Sequence, residues 1–521
     1  MRYDAIIVGA GHNGLAAAVR LVEKRWRVLI LEEKDAPGGA VKTRELTLPG
    51  FRHDVAAMNL SMFAGSPFFQ AHKDLLVKHG LAFAPAESCF ASIFRDQTYL
   101  GVSTSLDETA AGIAAVSSRD AQAWRAMSAR FGADAPHIFA LLGAAMPSRA
   151  AAIAIWKAFR ERGAGWLYET LKLLLASPRD FLDAHFESDK LKAMMAAWGM
   201  HLDFAPDIAG GALFPYLESM ANQAFGMVIG KGGADTIVKA MVGAITAAGG
   251  ELRLGQRVAA IDVDGGVATG VTLATGEKIA ASRVIANVHP KLVFGGLVGD
   301  APRARNYRAA LEKFRAGPGT MMIHLALDDL PDWRAGAQLR RFAYVHLAPD
   351  LEMMARVYAQ AAAGLLPAEP VLVVGQPTAI DPSRAPPGRH VLWVQVRVLP
   401  ANILGDAAGA IAARDWDEVK EAYADRVIEL IETYAPGLKR RVLGRAVFSP
   451  QDLERENANL IGGDSLSGSH HLDQNFFLRP VPGWSRYATP IRNLYLCGAS
   501  TWPGGGTGAG SGFLLAKALA G

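Results

Sequence analysis

YDAIIVGAGHNGLAAAVRLVEKRWRVLILEEKDAPGG, residues 3–39, decides the reading of this chain. Residues 3–8 form an unbroken apolar run, as a strand buried on both faces requires. Gly14 to about Arg25 has helical spacing, with Leu15, Val19 and Val22 on one side, and Trp26–Leu31 reads as a second strand. Strand, glycine turn, helix and strand make a βαβ unit, the context that gives a GxGxxG pattern meaning. Gly9 serves the tight turn, Gly11 lets main chain approach a pyrophosphate, and Gly14 lets helix pack on strand. His12 and Asn13 lie between them, where free helix amides meet negative phosphate. Glu32 closes the second strand with Glu33 beside it. A carboxylate there accepts protons from both ribose hydroxyls and would repel a ribose 2'-phosphate, so NADP is disfavoured.

The next segment separates NAD from FAD. Pro37, Gly38 and Gly39 make a second tight turn beside the first, with Ala40 joining the candidate cofactor contacts, followed by turn-rich sequence, GAVKTRELTLPGFRHDVAAMNLSMF (39–63), instead of further regular βα units. That order points to an extended cofactor running past the first turn.

Composition narrows the class. The chain has 521 residues, half of them apolar and a fifth charged, so it is globular and long enough for two or three domains. Its formal net charge is +4, from 54 basic and 50 acidic side chains, with no extended basic block, which argues against nucleic acid as a partner. Two cysteines, Cys89 and Cys497, form neither a CxxC pair nor a metal spacing, and no metal site is expected. Strand-like sequence by Tyr3 leaves no room for a leader, and no window reads as a spanning helix, so a cytoplasmic location is the expectation. IAIWKAFRERGAGWLYETLKLLL (153–175) alternates basic and aromatic residues and keeps contact with a membrane surface open, as it does oligomerisation.

LILEEKDAPGG (29–39) resembles the FAD-binding signature of phytoene desaturase-like flavoproteins, a branch of the amine-oxidase-like superfamily. DQNFFLRPVPGWSRYATPIRNLYLCGASTWPGGG (473–506) resembles the carboxyl-terminal segment of that branch, with likeness to the carotenoid ketolase and pyridine nucleotide-disulfide oxidoreductase domain-containing protein 2 groups. The likeness covers the first sixty residues, about 224–290 and the last sixty. It implies an α/β fold: a Rossmann-like FAD-binding domain assembled from 1–75, 215–295 and 455–521, with an inserted α+β substrate domain from 76–214 and 296–454. It implies too that Gly498, Gly505, Gly506 and Thr507 meet the flavin and that Val258 lies by the adenine. Independently of the likeness, a strand at Leu494–Cys497 and a helix from near Gly508 bracket the glycines, and a positive helix end favours reduced flavin.

Within the inserted part, 105–200 reads as helical, while TMMIHLAL, RFAYVHLA, PVLVVGQPTAI and HVLWVQVRVL read as strands of a second sheet. Residues 415–436 read as a surface helix, and 234–248 as an amphipathic helix of the first domain. His471, in GSHHLDQNF (468–476), is the candidate for proton transfer, with His470 its neighbour. Arg52 and Arg479 are candidates for positioning a polar substrate group or for pairing with carboxylates; His53 and Asp54 follow the GG turn, in a region that borders the flavin in the resembling family. Trp502 stands where many members of the resembling family carry a histidine, which puts their usual desaturase chemistry in doubt.

The expected function is FAD-dependent dehydrogenation or desaturation of a largely apolar, isoprenoid or carotenoid-like small molecule, with oxygen or a quinone as electron acceptor. The alternatives are oxidation of an amine or another small polar substrate, a redox-neutral isomerisation, and a non-catalytic flavin-bound scaffold.

Overall fold

A computed structural model describes residues 2–521. Its first layer is a five-stranded parallel sheet in the order Leu494–Leu496, Val284–Ala286, Ala5–Val8, Val28–Leu31, Glu251–Arg253. These strands are short and mostly apolar because layers cover both faces. Ile7 and Ile30 point to one side and pack with Leu15 and Val19 of helix His12–Glu23, Ile237 of helix Thr236–Ala247 and Phe513 of helix Gly510–Ala520. Ile6 and Val8 point the other way, onto Val258, Val271 and Ile279 of a three-stranded antiparallel sheet. Each such side chain contributes about 1.5–3 kcal/mol by leaving water. The sheet therefore gathers strands from the beginning, the middle and the end of the chain.

The second body is built on a seven-stranded sheet: Val442–Phe448, Gly319–Leu327, His390–Leu399, Val371–Gly375, Tyr344–Leu347, Ser88–Ile93, Tyr99–Ser103. It is antiparallel except where Tyr344–Leu347 runs parallel to Ser88–Ile93. Helix Trp416–Tyr434 covers the outer face with Trp416, Val419, Tyr423, Val427 and Ile431. The inner face looks toward the helices Ser118–Leu142, Asp189–Met200 and Leu213–Phe225 and toward the first domain. The molecule is thus an α/β fold with a discontinuous Rossmann-like domain and an inserted α+β domain.

The boundaries differ in instructive ways. The first helix starts at His12, before Gly14, because Gly11 already has the extended conformation of a cap (φ −67°, ψ 160°). In PVLVVGQPTAI the strand stops at Gly375, since Pro377 opens a short helix. The strands Ser88–Ile93 and Tyr99–Ser103 carry no strong alternation; pairing with Tyr344–Leu347 brings them into the sheet. No helix among the described residues is long and apolar enough to cross a membrane. Ile153, Trp156, Tyr168 and Leu171 of helix Arg149–Leu175 are nonetheless exposed.

Candidate cofactor and active site

The first strand ends at Val8, and Gly9 turns the chain with φ +92° while its amide donates to the Leu31 carbonyl at 2.8 Å. A Cβ on Gly14 would lie 2.7 Å from the Gly9 carbonyl oxygen, so helix and turn touch as the sequence predicts. A Cβ on Gly11 would lie 2.8 Å from Asn287 Nδ2, a neighbour that the sequence did not reveal. The second turn lies alongside: the Gly38 amide donates to the Ala10 carbonyl at 2.9 Å, with Gly38 at φ +125° and Gly39 at φ +60°.

Glu32 braces this pair of turns. Its Oε2 accepts from the Ala10 amide at 2.8 Å and its Oε1 from the Lys34 amide at 3.0 Å, and the side chain is buried. Each oxygen keeps a further lone pair for a hydroxyl. Glu33 faces solvent. Val258 lies in the core behind the five-stranded sheet, two residues beyond Gln256, whose amide donates to the Glu32 carbonyl at 2.7 Å.

The chain's end reaches the same place. Gly11, His12, Asn13, Gly39, Ala40, Gly498, Gly506 and Thr507 line one cleft. Gly9, Gly14, Glu32, Gly38, Val258 and Gly505 stand behind its wall. His12 Nε2 is 3.1 Å from the Gly506 carbonyl, and burial lowers the His12 pKa to about 4. Both helices that start here, at His12 and Gly510, lack a side-chain cap and any acid in the first turn. Helices starting at Pro67, Leu106, Ser118, Arg149, Asp189 and Trp416 carry Ser or Asp caps, while Leu213–Phe225 and Thr236–Ala247 are likewise uncapped. Two uncapped positive helix ends and a glycine-lined wall fit an anionic dinucleotide.

Of the two adjacent histidines, His470 turns to the glycine loop: its Nε2 accepts from the Gly505 amide at 3.1 Å, and a Cβ on Gly504 would strike it at 2.4 Å. His471 turns away, with Nε2 2.8 Å from the Asp203 carbonyl and 3.5 Å from the Tyr358 hydroxyl. Neighbouring side chains at the start of the short helix Leu472–Gln474 diverge, and this takes His471 out of the cleft wall.

Two other candidates have structural partners. Arg479 is fully buried and donates to the carbonyls of Ser467, Gly468, Ser469 and Ala499, so it pins two loops together. Trp502 is buried as well; its Nε1 donates to the Ala144 carbonyl at 2.8 Å, anchoring the glycine loop to the helical region.

Sequence reasoning missed an asparagine-rich wall. Asn287 follows strand Val284–Ala286 and sits between Gly9, Gly11, Gly14 and Gly498. Asn459 donates to the Asn287 carbonyl at 3.2 Å and accepts from the His289 amide at 2.8 Å. Asn457, Ser465 and Ser467 extend the lining. The one available signal was an asparagine at the carboxyl end of VIAN, where ligands of parallel sheets bind.

A family model, "Flavin containing amine oxidoreductase", matches residues 14–511. The chain belongs to this family. It is an FAD-dependent oxidoreductase of the amine-oxidase-like superfamily. It is 30% identical over 97% of its length to the rat (Rattus norvegicus) pyridine nucleotide-disulfide oxidoreductase domain-containing protein 2, of which 91% is covered. It is 25% identical over 98% of its length to the neurosporene-forming phytoene desaturase of Cereibacter sphaeroides, with 94% of that protein covered. Among solved structures, an oxidoreductase from Methanosarcina mazei superposes with a TM-score of 0.63 at 17% identity, over 99% of both chains, a likeness of fold.

Proposed function

We propose that this flavoprotein oxidises a small organic substrate carrying a polar group, with an amine as the foremost class, between the cofactor cleft and the seven-stranded sheet. FAD, held by the two glycine turns and the terminal helix, supplies two-electron oxidation. Oxygen or a quinone is the proposed electron acceptor.

The observation that carries this reading is the sheet's inner face. Tyr344 and Trp393 both pair with Gly375, from opposite sides, and stack at 5.7 Å with 20° between their planes. A Cβ on Gly375 would come 3.0 Å from the Trp393 ring, so the glycine makes room for the pair. Asn59 lies between this face and the cleft: its carbonyl accepts from Thr507 Oγ1 at 3.3 Å. His324, His346, Gln395 and Ser92 share this face, and burial lowers the His346 pKa to about 3, which keeps it neutral. Glu218, half-buried, is raised to about 7 by desolvation, and its charge is felt at Tyr344. Aromatic rings, neutral imidazoles and a carboxyl tuned near neutrality suit an amine better than a long hydrocarbon.

A second reading, desaturation of an apolar chain, is favoured by the buried methionines Met58, Met194, Met195, Met220 and Met322 and by the phytoene desaturase relatives. Anaerobic mixing separates the two. Benzylamine and related amines should bleach the flavin absorbance of the holoenzyme; bleaching by a detergent-dispersed polyene and by no amine would overturn the proposal in favour of the second reading.

A further inference from the structure

Three arginines are deeply buried, and two have evident counterparts. Arg384 is ion-paired with Asp54 and Asp381, and Arg479 is wrapped by main-chain carbonyls. Arg397 differs. It is 5% exposed; Nη1 donates to Ser465 Oγ at 3.1 Å, Nη2 meets the carbonyls of Met200 and His201, and Nε has no partner. Asp464 and Asp203 act on it only from beyond ion-pair distance. Asp464 is already held by the amides of Gly317, Leu466 and Gly468, and Asp203 by the Tyr358 hydroxyl. Arg479 also lacks a carboxylate at ion-pair distance, but its nitrogens are wrapped by carbonyls, whereas Arg397 keeps an unpartnered Nε and so retains capacity for an anion that joins it.

The backbone is shaped around this side chain. Gly319 pairs with Leu399 and Met321 with Val396, so Arg397 and Val398 together oppose Thr320: a β-bulge. Val398 has φ +63°, an unfavourable conformation for a β-branched residue. Bulges re-aim side chains, and such strain persists where surrounding structure enforces it. The bulge leaves Arg397 on the inner face, four residues from Trp393, and one hydrogen bond behind Ser465 of the cleft wall.

The same sheet face holds several buried polar groups without partners. Trp198 Nε1 and Trp393 Nε1 are both buried and unpartnered, as is His201 Nε2. An indole nitrogen can only donate, so each of the two indoles lacks an acceptor, while the nearby neutral His346 leaves both ring nitrogens unpartnered. The rings form one continuous patch: Trp198 lies 4.7 Å from His201 and 6.4 Å from Tyr344, which stacks on Trp393.

We infer that Arg397 anchors a carboxylate on the substrate, so that the oxidised molecule is an organic acid bearing the polar group to be oxidised. The inference rests on the polar-substrate reading of this space. One planar cation among neutral donors balances a single negative charge, which matches a carboxylate and undercompensates a phosphate.

Benzoate and its neutral isostere benzamide serve as probes with the FAD-loaded enzyme, read by tryptophan fluorescence and thermal midpoint. Benzoate should bind wild type tighter than benzamide. Arg397→Met should weaken benzoate roughly 10- to 100-fold and leave benzamide unchanged, with Arg397→Lys intermediate. Equal binding of the two probes to wild type, or benzoate binding indifferent to Arg397→Met, overturns the anchor. Should Arg397→Met not fold, the wild-type comparison decides: a midpoint raised by benzoate alone supports the anchor, and equal shifts reject it. Flavin bleaching is scored separately. Amine oxidation without benzoate preference rejects the anchor alone. Arg397-dependent benzoate binding without bleaching by any amine keeps the anchor and rejects the amine reading.

Discussion

Gly512 packs its Cα directly on the main chain of Asn13: a Cβ at Gly512 would come within 1.8 Å of the Asn13 carbonyl oxygen. This contact lets the last helix lie against the first and aims both amino-terminal ends at one cleft. Gly512→Ala should therefore force the helices apart, costing ~3 kcal/mol and emptying the cofactor site. Gly112→Ala, on an exposed helical position with open space around it, should stabilise slightly. Thermal midpoints and flavin-to-protein absorbance ratios of the two variants check this, and equal behaviour would contradict the close packing.

Gly11 faces two neighbours, the Asn287 amide and the expected pyrophosphate. Gly11→Ala should lower FAD occupancy. If the Asn287 side chain is the obstacle, adding Asn287→Ala restores part of the occupancy; if main chain must approach phosphate directly, the double variant stays empty. Equilibrium FAD titration of the apoproteins distinguishes the two, and full occupancy in Gly11→Ala alone would displace the turn from the site.

The paired histidines divide loop support from proton chemistry. His470→Ala removes the acceptor of the Gly505 amide and should loosen the glycine loop, with weaker FAD retention. His471→Ala should retain FAD, since its bonds go to Asp203. Its turnover should fall little, and a loss beyond tenfold at full FAD loading would restore it as a proton carrier.

Asp54 joins three parts of the chain: Oδ1 accepts from Thr43 Oγ1 at 2.6 Å and the Ala234 amide at 2.7 Å, and Oδ2 pairs with Arg384. Arg384→Met leaves a buried carboxylate without its cation and should cost about 3–5 kcal/mol. The double variant Arg384→Met/Asp54→Asn should recover much of that loss, as denaturant unfolding would show.

Buried neutral histidines set an acid limit. Burial lowers the pKa of His53 to about 4 and of His289 and His346 to about 3. Between these values and about 6.5, the unfolded chain binds protons that the folded chain refuses, so stability rises with pH and falls on acidification. For each such group still neutral in the fold, the slope approaches about 1.4 kcal/mol per pH unit below 6.5. The thermal midpoint should be nearly flat from pH 8 to 7 and drop steadily toward pH 4; a flat profile to pH 4 would mean these side chains are accessible to protons.

The nucleotide end was readable because its signals are local. A glycine spacing between an apolar run and an amphipathic helix encodes a turn, and Gly9, Gly14 and Gly38 all carry the conformation or contact that the pattern requires. The βαβ unit and the long strands Gly319–Leu327 and His390–Leu399 were thus legible in the residues alone. Asn287, the choice of His470 over His471, and the Tyr344–Trp393 pair across Gly375 were decided by tertiary structure. Each depends on strand register or on which way one of two neighbouring side chains turns, and these follow from contacts between residues far apart in the chain. Arg397 is the extreme case: on the strand it is one more alternating position, and only folding reveals a buried cation with an unpartnered Nε.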